Sequence, residues 1–429
     1  MKFEELELQK ELLKTIEKVG YKSTTEIQEK AIPEILAGKD IVGCAQTGTG
    51  KTAAFAIPLI NKLYTKEDTK LRVLVLTPTR ELASQVRDSF KTYSKGLGIK
   101  TALVVGGMNQ RPQKKALKDG VDVLIATPGR ALDLMNQKAI KLHNIETIVL
   151  DEADTMLDMG FIEDIEKIIK RTPSERQTLL FSATMPKAIR DLSKKFLKDP
   201  VSVTIEPNIN NVVKISETIY YVDKKSKTSL LLDLLKDPQI YSGLIFTRTK
   251  RGADALYKTL KANGIKTEII HGDKTQNTRT IALKNFKSGK VRLLIATDIA
   301  ARGIDVSGLS HVINYDLPEQ AETYIHRIGR TGRAGQEGVA ISFCDSFEKK
   351  NLKSIERVTK KDFSPIVDEN HQLTEKEQEP RRKRSNVSNR GGKRGSNSNN
   401  RSSSSRRPSN RRNDNKRGQS NTRKSSKRR

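Results

Sequence analysis

At 429 residues the chain can hold two domains with substantial cores plus a further segment, taking roughly 150–200 residues per domain. Lys and Arg number 80 against 51 Asp and Glu, a net charge of +29, which argues for a polyanionic partner, nucleic acid first. No apolar run approaches the roughly 18 residues of a membrane span, and no basic amphipathic stretch has a large apolar face, so a membrane partner is disfavoured.

The opening Met1-Lys-Phe-Glu-Glu-Leu lacks the charged-then-apolar pattern of an export signal, which predicts a cytoplasmic protein. Asp40–Ala45 reads as a strand, and Ala45-Gln46-Thr47-Gly48-Thr49-Gly50-Lys51-Thr52 follows it, leading into a helical stretch over Thr52–Leu63. In such a strand-to-helix turn, glycines let backbone N–H groups cradle phosphates, the lysine reaches the β/γ oxygens and the threonine helps to hold Mg²⁺. Ala45 stands where the usual Gly-x₄-Gly-Lys-[Ser/Thr] pattern begins with glycine.

Short β-branched runs then alternate with amphipathic stretches, at Arg72–Thr77, Thr101–Val105, Val121–Ala126, Thr147–Leu150 and Thr178–Phe181. That alternation predicts a parallel sheet with helices on both faces. Asp151-Glu152-Ala153-Asp154 closes the run Thr147–Leu150, at the strand end where an open α/β sheet binds its ligands, and an acidic pair there suits a metal and a positioned water. Turn residues between Lys198 and Asn211 predict a linker, placed at 206–215, so that the first domain covers 1–205. The same alternation returns over Gly243–Phe246, Thr267–Ile270, Arg292–Ala296, His311–Asn314 and Val339–Phe343, giving a second α/β domain over 216–365. Cys44 and Cys344 fall in strands of different domains, which predicts a reducing compartment without disulfide or zinc.

Composition changes towards the C-terminus. Residues 380–429 carry 19 Lys and Arg against the single acid Asp414, so +18 of the net +29 sits there, with no Phe, Tyr or Trp. Such a segment cannot bury enough apolar surface to offset the entropy of ordering, so a disordered basic tail is expected over 366–429.

Taken with the phosphate loop and Asp151–Asp154, the triplet Ser182-Ala183-Thr184 and the run His326-Arg327-Ile328-Gly329-Arg330-Thr331-Gly332-Arg333 make residues 1–345 resemble a DEAD-box ATP-dependent RNA helicase. The resemblance implies two RecA-like domains in tandem, with ATP and Mg²⁺ as cofactors. It implies that Lys51, Thr52 and Asp151 hold Mg-ATP, the metal largely through water, that Glu152 aims the attacking water, and that Ser182, Ala183, Thr184 and Asp154 couple this site to domain closure. Arg330 and Arg333 would act as arginine fingers, with His326 counted in the same catalytic set; three apart, the two arginines are read as lying near one face of a helical start.

Gly20-Tyr21-Lys-Ser-Thr24-Thr25-Glu-Ile27-Gln28 resembles the family's adenine-reading motif, giving Thr25 and Gln28 to the base, with Phe3 as the upstream stacking aromatic and Asp305 on the ribose. For Phe3 a docking contact into the core is the alternative. Thr24 replaces the usual proline. The RNA-binding set implied by resemblance is Pro78, Thr79, Arg80, Gly107, Thr127, Pro128, Gly129 and Arg130 in the first domain, and Thr247, Arg248, Gln276, Arg279 and Thr297 in the second. Backbone N–H groups, hydroxyls and arginines of this kind hold phosphates and 2′-hydroxyls while ignoring sequence.

The expected activity is RNA-stimulated ATP hydrolysis coupled to local, non-processive opening of short RNA duplexes and RNA–protein remodelling, by a monomer. Two alternatives stay open: an RNA chaperone or annealer driven by the basic tail, and a related motor acting on DNA. The tail sitting directly on the core resembles bacterial cold-adaptation and ribosome-assembly members, with pre-ribosomal particles or RNA-decay proteins as partners.

Overall fold

The computed structural model describes residues 1–46, 48–64, 69–206, 215–301, 304, 306, 308–332 and 337–367. A short 3₁₀ turn, Phe3–Glu5, precedes α1 (Lys10–Lys18), α2 (Glu26–Leu36), β1 (Ile41–Cys44), α3 (Lys51–Tyr64), β2 (Val73–Leu76) and α4 (Arg80–Tyr93). Next come β3 (Thr101–Val104), α5 (Gln110–Lys118), β4 (Val123–Ala126), α6 (Pro128–Asn136), β5 (Thr147–Leu150), α7 (Ala153–Asp158) and α8 (Ile162–Ile169). The first half closes with β6 (Gln177–Ser182), α9 (Lys187–Phe196) and β7 (Val201–Thr204).

The second half contains β8 (Ile215–Tyr221), α10 (Lys227–Leu234), β9 (Gly243–Phe246), α11 (Lys250–Ala262), β10 (Thr267–Ile270), α12 (Gln276–Lys287) and β11 (Leu293–Ala296). It continues through α13 (Asp298–Ala301), β12 (His311–Asn314), α14 (Ala321–Ile328), β13 (Gly338–Cys344), α15 (Lys349–Thr359) and β14 (Ile366–Val367). No helix among the described residues is long and apolar enough to cross a membrane.

The strands form two seven-stranded sheets, ordered β3-β4-β2-β5-β6-β1-β7 and β10-β11-β9-β12-β13-β8-β14, all pairs parallel. Counted from the first strand of each half, the two orders are the same, 3-4-2-5-6-1-7, so the fold is one topology used twice. Both faces of each sheet are covered, as a parallel sheet requires. In β2, Val73 and Val75 join the core beneath α3 and α4 with Phe55 and Phe90, whereas Leu74 and Leu76 join the opposite core with Leu134 and Ile165. The two-residue period of a strand turns a continuous apolar run into two separate cores.

Three strands, β7, β8 and β14, lie outside the predicted set. β7 pairs with β1 although its residues follow Lys198-Asp-Pro200, and β8 begins at Ile215, the last position given to the linker. Ile366 and Val367, counted with the tail, pair with Tyr220 and Tyr221 of β8. The rest of the linker, 207–214, and the chain from 368 onwards lie outside the described residues.

Candidate functional site

The strand order separates two groups of candidate residues along the C-terminal edge of the first sheet. β1, β6 and β5 are neighbours, and from their ends come the phosphate loop, Ser182-Ala183-Thr184 and Asp151-Glu152. On the other side β2, β4 and β3 lead into Pro78-Thr79-Arg80, Thr127–Arg130 and Gly106-Gly107. The candidate nucleotide residues therefore cluster at one end of the edge and the candidate RNA residues at the other.

In the phosphate loop Gly48 and Gly50 adopt φ of 87° and 97°. Lys51 opens α3, is 6% exposed, and donates from Nζ to the Ala45 carbonyl at 2.6 Å. Thr49 donates to the Gln46 carbonyl at 2.8 Å, while Thr47 lies outside the described residues. Gln28 binds this loop directly. Its Nε2 donates to the Gly50 carbonyl at 3.2 Å and its Oε1 accepts from the Thr25 N–H at 3.0 Å, completing a capping box at the start of α2. An amide has two donors and two acceptor lone pairs, so this pairing leaves capacity for a base edge. Thr24, in place of proline, donates through its N–H and its hydroxyl to the Met1 carbonyl at 3.0 and 2.9 Å. Proline has no N–H to give there.

Phe3 takes the alternative given for it. Its ring is 2% exposed and stacked on Tyr21 at 5.8 Å and 15°, within the core cluster under α1 and α2, so a docking contact is what the structure contains.

Asp151 follows β5, donates its N–H to the Leu76 carbonyl at 3.0 Å and is 2% exposed. Burial, then the charge of Glu152, pushes its carboxyl up to about 7 against the opposing pull of Lys51. Glu152 sits in the left-handed region at φ 53° and ψ 55° as the N-cap of α7, a strained backbone for a residue with a side chain. Its carboxyl is also raised by burial, and the largest opposing influence is the charge of Arg330 from the second half. Arg330 donates to the Ile304 carbonyl at 2.9 Å.

Arg330 does not begin a helix as expected. α14 ends at Ile328 with Gly329 as its C-cap, and Arg330 follows in the turn before Gly332 at φ 64°. The two glycines stop the helix, which has no intrinsic preference for them. His326 is exposed on α14, and Arg333 and Asp305 lie outside the described residues.

Asp154 joins the two acidic-end loops. Its Oδ2 accepts from the Ala183 and Thr184 N–H groups at 3.2 and 2.8 Å and from the Thr184 hydroxyl at 2.9 Å. Ser182 Oγ accepts from the Asp154 N–H at 3.2 Å and donates to the Thr184 carbonyl at 2.7 Å. A shift of either loop must therefore move the other.

At the opposite end, Thr79 caps α4 by accepting from the Leu82 N–H at 3.2 Å, and Thr127 precedes α6 with Pro128 in the first helical turn. Thr249 caps α11 in the same way, accepting from the Gly252 N–H at 3.0 Å, which matches the equivalent place in the repeated topology. Gly107 has φ 69°, and a Cβ there would lie 2.0 Å from Arg80 Nη1. Arg130 donates to the Met108 carbonyl at 3.2 Å. Burial and the neighbouring charges of Arg279 and Arg130 lower the Arg80 pKa, the mark of a crowded cationic patch.

Gln276 and Arg279 of the second half reach this patch. Gln276 Nε2 donates to Glu81 Oε1 at 2.8 Å and its Oε1 accepts from Arg80 at 3.4 Å, while Arg279 Nη2 lies 2.9 Å from Glu81 Oε2. The first and second halves are thus tied at the RNA-candidate end by residues read from sequence as RNA contacts.

Arg327 was given no role within the eight-residue run. Arg327 is 2% exposed, forks onto Asp298 at 2.6 and 2.7 Å, and donates to the Asn314 side chain at 3.0 Å and the Asp316 carbonyl at 2.7 Å over the ring of Phe246. It joins the ends of β9, β11 and β12 to α14, the helix whose following turn contains Arg330. The signal for it was its place three residues after Tyr324 on the buried face of α14. Arg248 is likewise fixed, its N–H donating to Asp316 at 2.8 Å and its guanidinium pairing with Glu348.

The DEAD/DEAH box helicase family matches residues 25–192 and the helicase conserved C-terminal domain matches residues 226–335. The ATP-dependent RNA helicase CshA of Listeria monocytogenes is 45% identical over 365 residues, 85% of this chain and 70% of that protein. The DEAD-box ATP-dependent RNA helicase CshA of Streptococcus pneumoniae is 48% identical over 361 residues, 84% of this chain and 69% of that protein. Among solved structures, S. cerevisiae Dbp5 bound to RNA and ADP BeF3 is 34% identical with a TM-score of 0.76, covering 85% of this chain and 95% of the other. With two tandem parallel sheets, a phosphate loop beside Asp151-Glu152, and relatives of this identity along most of its length, the chain belongs to the DEAD-box ATP-dependent RNA helicases.

Proposed function

We propose that this ATP-dependent RNA helicase opens short RNA duplexes locally, with ATP and RNA together holding its two domains on one another. What supports the reading is that side chains of one domain reach the other: Gln276 and Arg279 contact Arg80 and Glu81, and the charge of Arg330 is the largest influence opposing the burial-driven rise of the Glu152 carboxyl. Lys51 Nζ, held by the Ala45 carbonyl, is in place to pass to a phosphate oxygen at the N-terminus of α3. Glu152 then orients the attacking water, and Arg330, with Arg333, stabilises charge developing on the γ-phosphate.

The buried Asp151 carboxyl, crowded by Glu152, is a place where a cation relieves repulsion, so the residues present fit Mg²⁺. Among the described residues no group of three His, Cys, Asp or Glu is arranged to hold a metal, so Asp151 and Thr52 would share the ion with phosphate and water. Bound there, Mg²⁺ would neutralise phosphate charge during transfer.

An RNA strand lying across Arg80, Gly107 and Arg130 of one domain and Arg248 and Thr297 of the other favours closure by linkage, which completes the hydrolytic site. Because a base-pair step is worth about 1.4 kcal/mol, kinking one strand suffices to release a short duplex. ATP turnover without nucleic acid, with RNA and with DNA of the same sequence tests this. Stimulation by RNA alone is expected, since the 2′-hydroxyl separates the two; equal stimulation by DNA would refute the RNA assignment. Glu152→Gln is expected to abolish turnover while retaining ATP-dependent RNA binding, and normal turnover in that variant would remove Glu152 from its role.

A further inference from the structure

α5 packs beside β3, the edge strand of the first sheet, and carries Arg111, Lys114, Lys115 and Lys118 with no acid within the helix. Arg111, Lys115 and Lys118 are exposed, and among the described residues none of the four is held in an ion pair. Spaced four and three residues apart, the three exposed cations form one stripe, spanning about 10 Å at the 1.5 Å rise per helical residue.

The helix is fastened to the RNA-candidate edge. Gln113, 7% exposed, clamps the loop before α5, accepting from the Val105 N–H at 3.2 Å and donating to the Val105 and Asn109 carbonyls at 3.1 and 3.2 Å. Arg130 reaches the same amide oxygen at 3.4 Å, and Gly107, between Val105 and Asn109, lies against Arg80. The stripe therefore leaves the Arg80–Gly107–Arg130 patch as a rigid continuation of it, at the outer edge of the sheet.

We propose that α5 is a second phosphate track, over which an RNA strand continues after leaving the patch. The proposal rests on the reading of that patch as an RNA site. Unpaired cations at helical spacing suit successive phosphates of a flexible strand, and with no exposed aromatic on α5 there is nothing to stack a base, so the track holds backbone without choosing sequence. Its role is to extend the bound length of RNA, with no part in hydrolysis.

The test compares the full chain with the triple variant Arg111→Gln/Lys115→Gln/Lys118→Gln, glutamine being a good helix former. Binding of oligouridylates of about 8 and about 24 nucleotides, the shorter within the usual span of one single-strand site, is measured with a non-hydrolysable ATP analogue across a salt series. At about 0.7 per phosphate contact, the log–log salt slope for the long RNA should become shallower by about 2, with the short RNA unchanged. An unchanged slope with the long RNA, or equal changes at both lengths, would overturn the track. Failure of the unaltered chain to bind either RNA would instead overturn the reading of the patch, and the track with it.

Discussion

Arg279, on the helix after the third strand of the second sheet, holds its guanidinium 2.9 Å from the carboxylate of Glu81, at the head of the helix after the second strand of the first. Their side chains are 9% and 3% exposed, so the contact joins two desolvated charges across the domains. Breaking such a pair by changing one partner typically costs about 3–5 kcal/mol, because the remaining charge stays buried. Arg279→Glu is therefore expected to lower RNA-stimulated ATP turnover by about 100-fold, roughly 3 kcal/mol of closure. Adding Glu81→Arg should recover a good part of the loss. A double change no better than the worse single one would show that these residues act separately.

The buried Asp151 carboxyl gives a pH dependence with a definite sign. Its ordinary value is 3.8, and in the folded chain it is pushed up to about 7. Below 3.8 both states are protonated and the group is neutral in its effect; as pH rises the unfolded chain ionises first, so stability is lost until the folded value is passed. Without nucleotide, Asp151→Asn should melt higher than the parent at pH 8, by up to about 4 kcal/mol at 1.36 kcal/mol per unit. The difference should vanish towards pH 4. An advantage constant from pH 4 to 8 would show that packing, rather than ionisation, is responsible.

Gly50 tests the link between the adenine motif and the phosphate loop. A Cβ there would lie 2.5 Å from Gln28 Nε2 and 2.8 Å from Thr25 Oγ1, on a backbone at φ 97°. Gly50→Ala must displace both side chains and strain the turn by about 1–3 kcal/mol. ATP affinity should fall at least tenfold. Gly107→Ala, at φ 69° and with its Cβ against the guanidinium of Arg80, should instead weaken RNA binding and leave ATP affinity intact. If both changes reduced ATP affinity alike, the separation of the two ends of the sheet would be wrong.

That the motifs share one edge was legible in the sequence, because each motif follows an apolar β-branched run and a parallel sheet sends all such ends to one edge. The order of strands along the edge was not, since periodicity reports which residues are buried and says nothing of which strands are neighbours. β7 was hidden because it is an edge strand with only Val203 buried, immediately after the turn signals Asp199 and Pro200. The left-handed backbone of Glu152 was equally invisible, being forced by the site around it rather than by the residue. Gln276 and Arg279 were assigned to RNA through the resemblance alone, and their contacts with Arg80 and Glu81 were not legible because no local pattern reports which side chains of another domain a helix will face.

Arg327 offers the sharpest separation of structure from coupling. Its fork holds both oxygens of Asp298, at the head of α13 after the candidate RNA residue Thr297, while its backbone leads through Gly329 to Arg330. Arg327→Lys keeps the charge and most of the length, yet a lysine cannot make two parallel hydrogen bonds to one carboxylate or lie flat over Phe246. RNA-independent ATP turnover and ATP affinity should therefore change less than threefold, while stimulation by saturating RNA falls about tenfold or more, near 1.4 kcal/mol. A purely structural residue would lower both activities together in proportion to unfolding, so melting temperature is measured alongside. Equal loss of basal and RNA-stimulated turnover would make Arg327 a packing residue, and unaltered stimulation would show that the Asp298 fork carries no signal between RNA and Arg330.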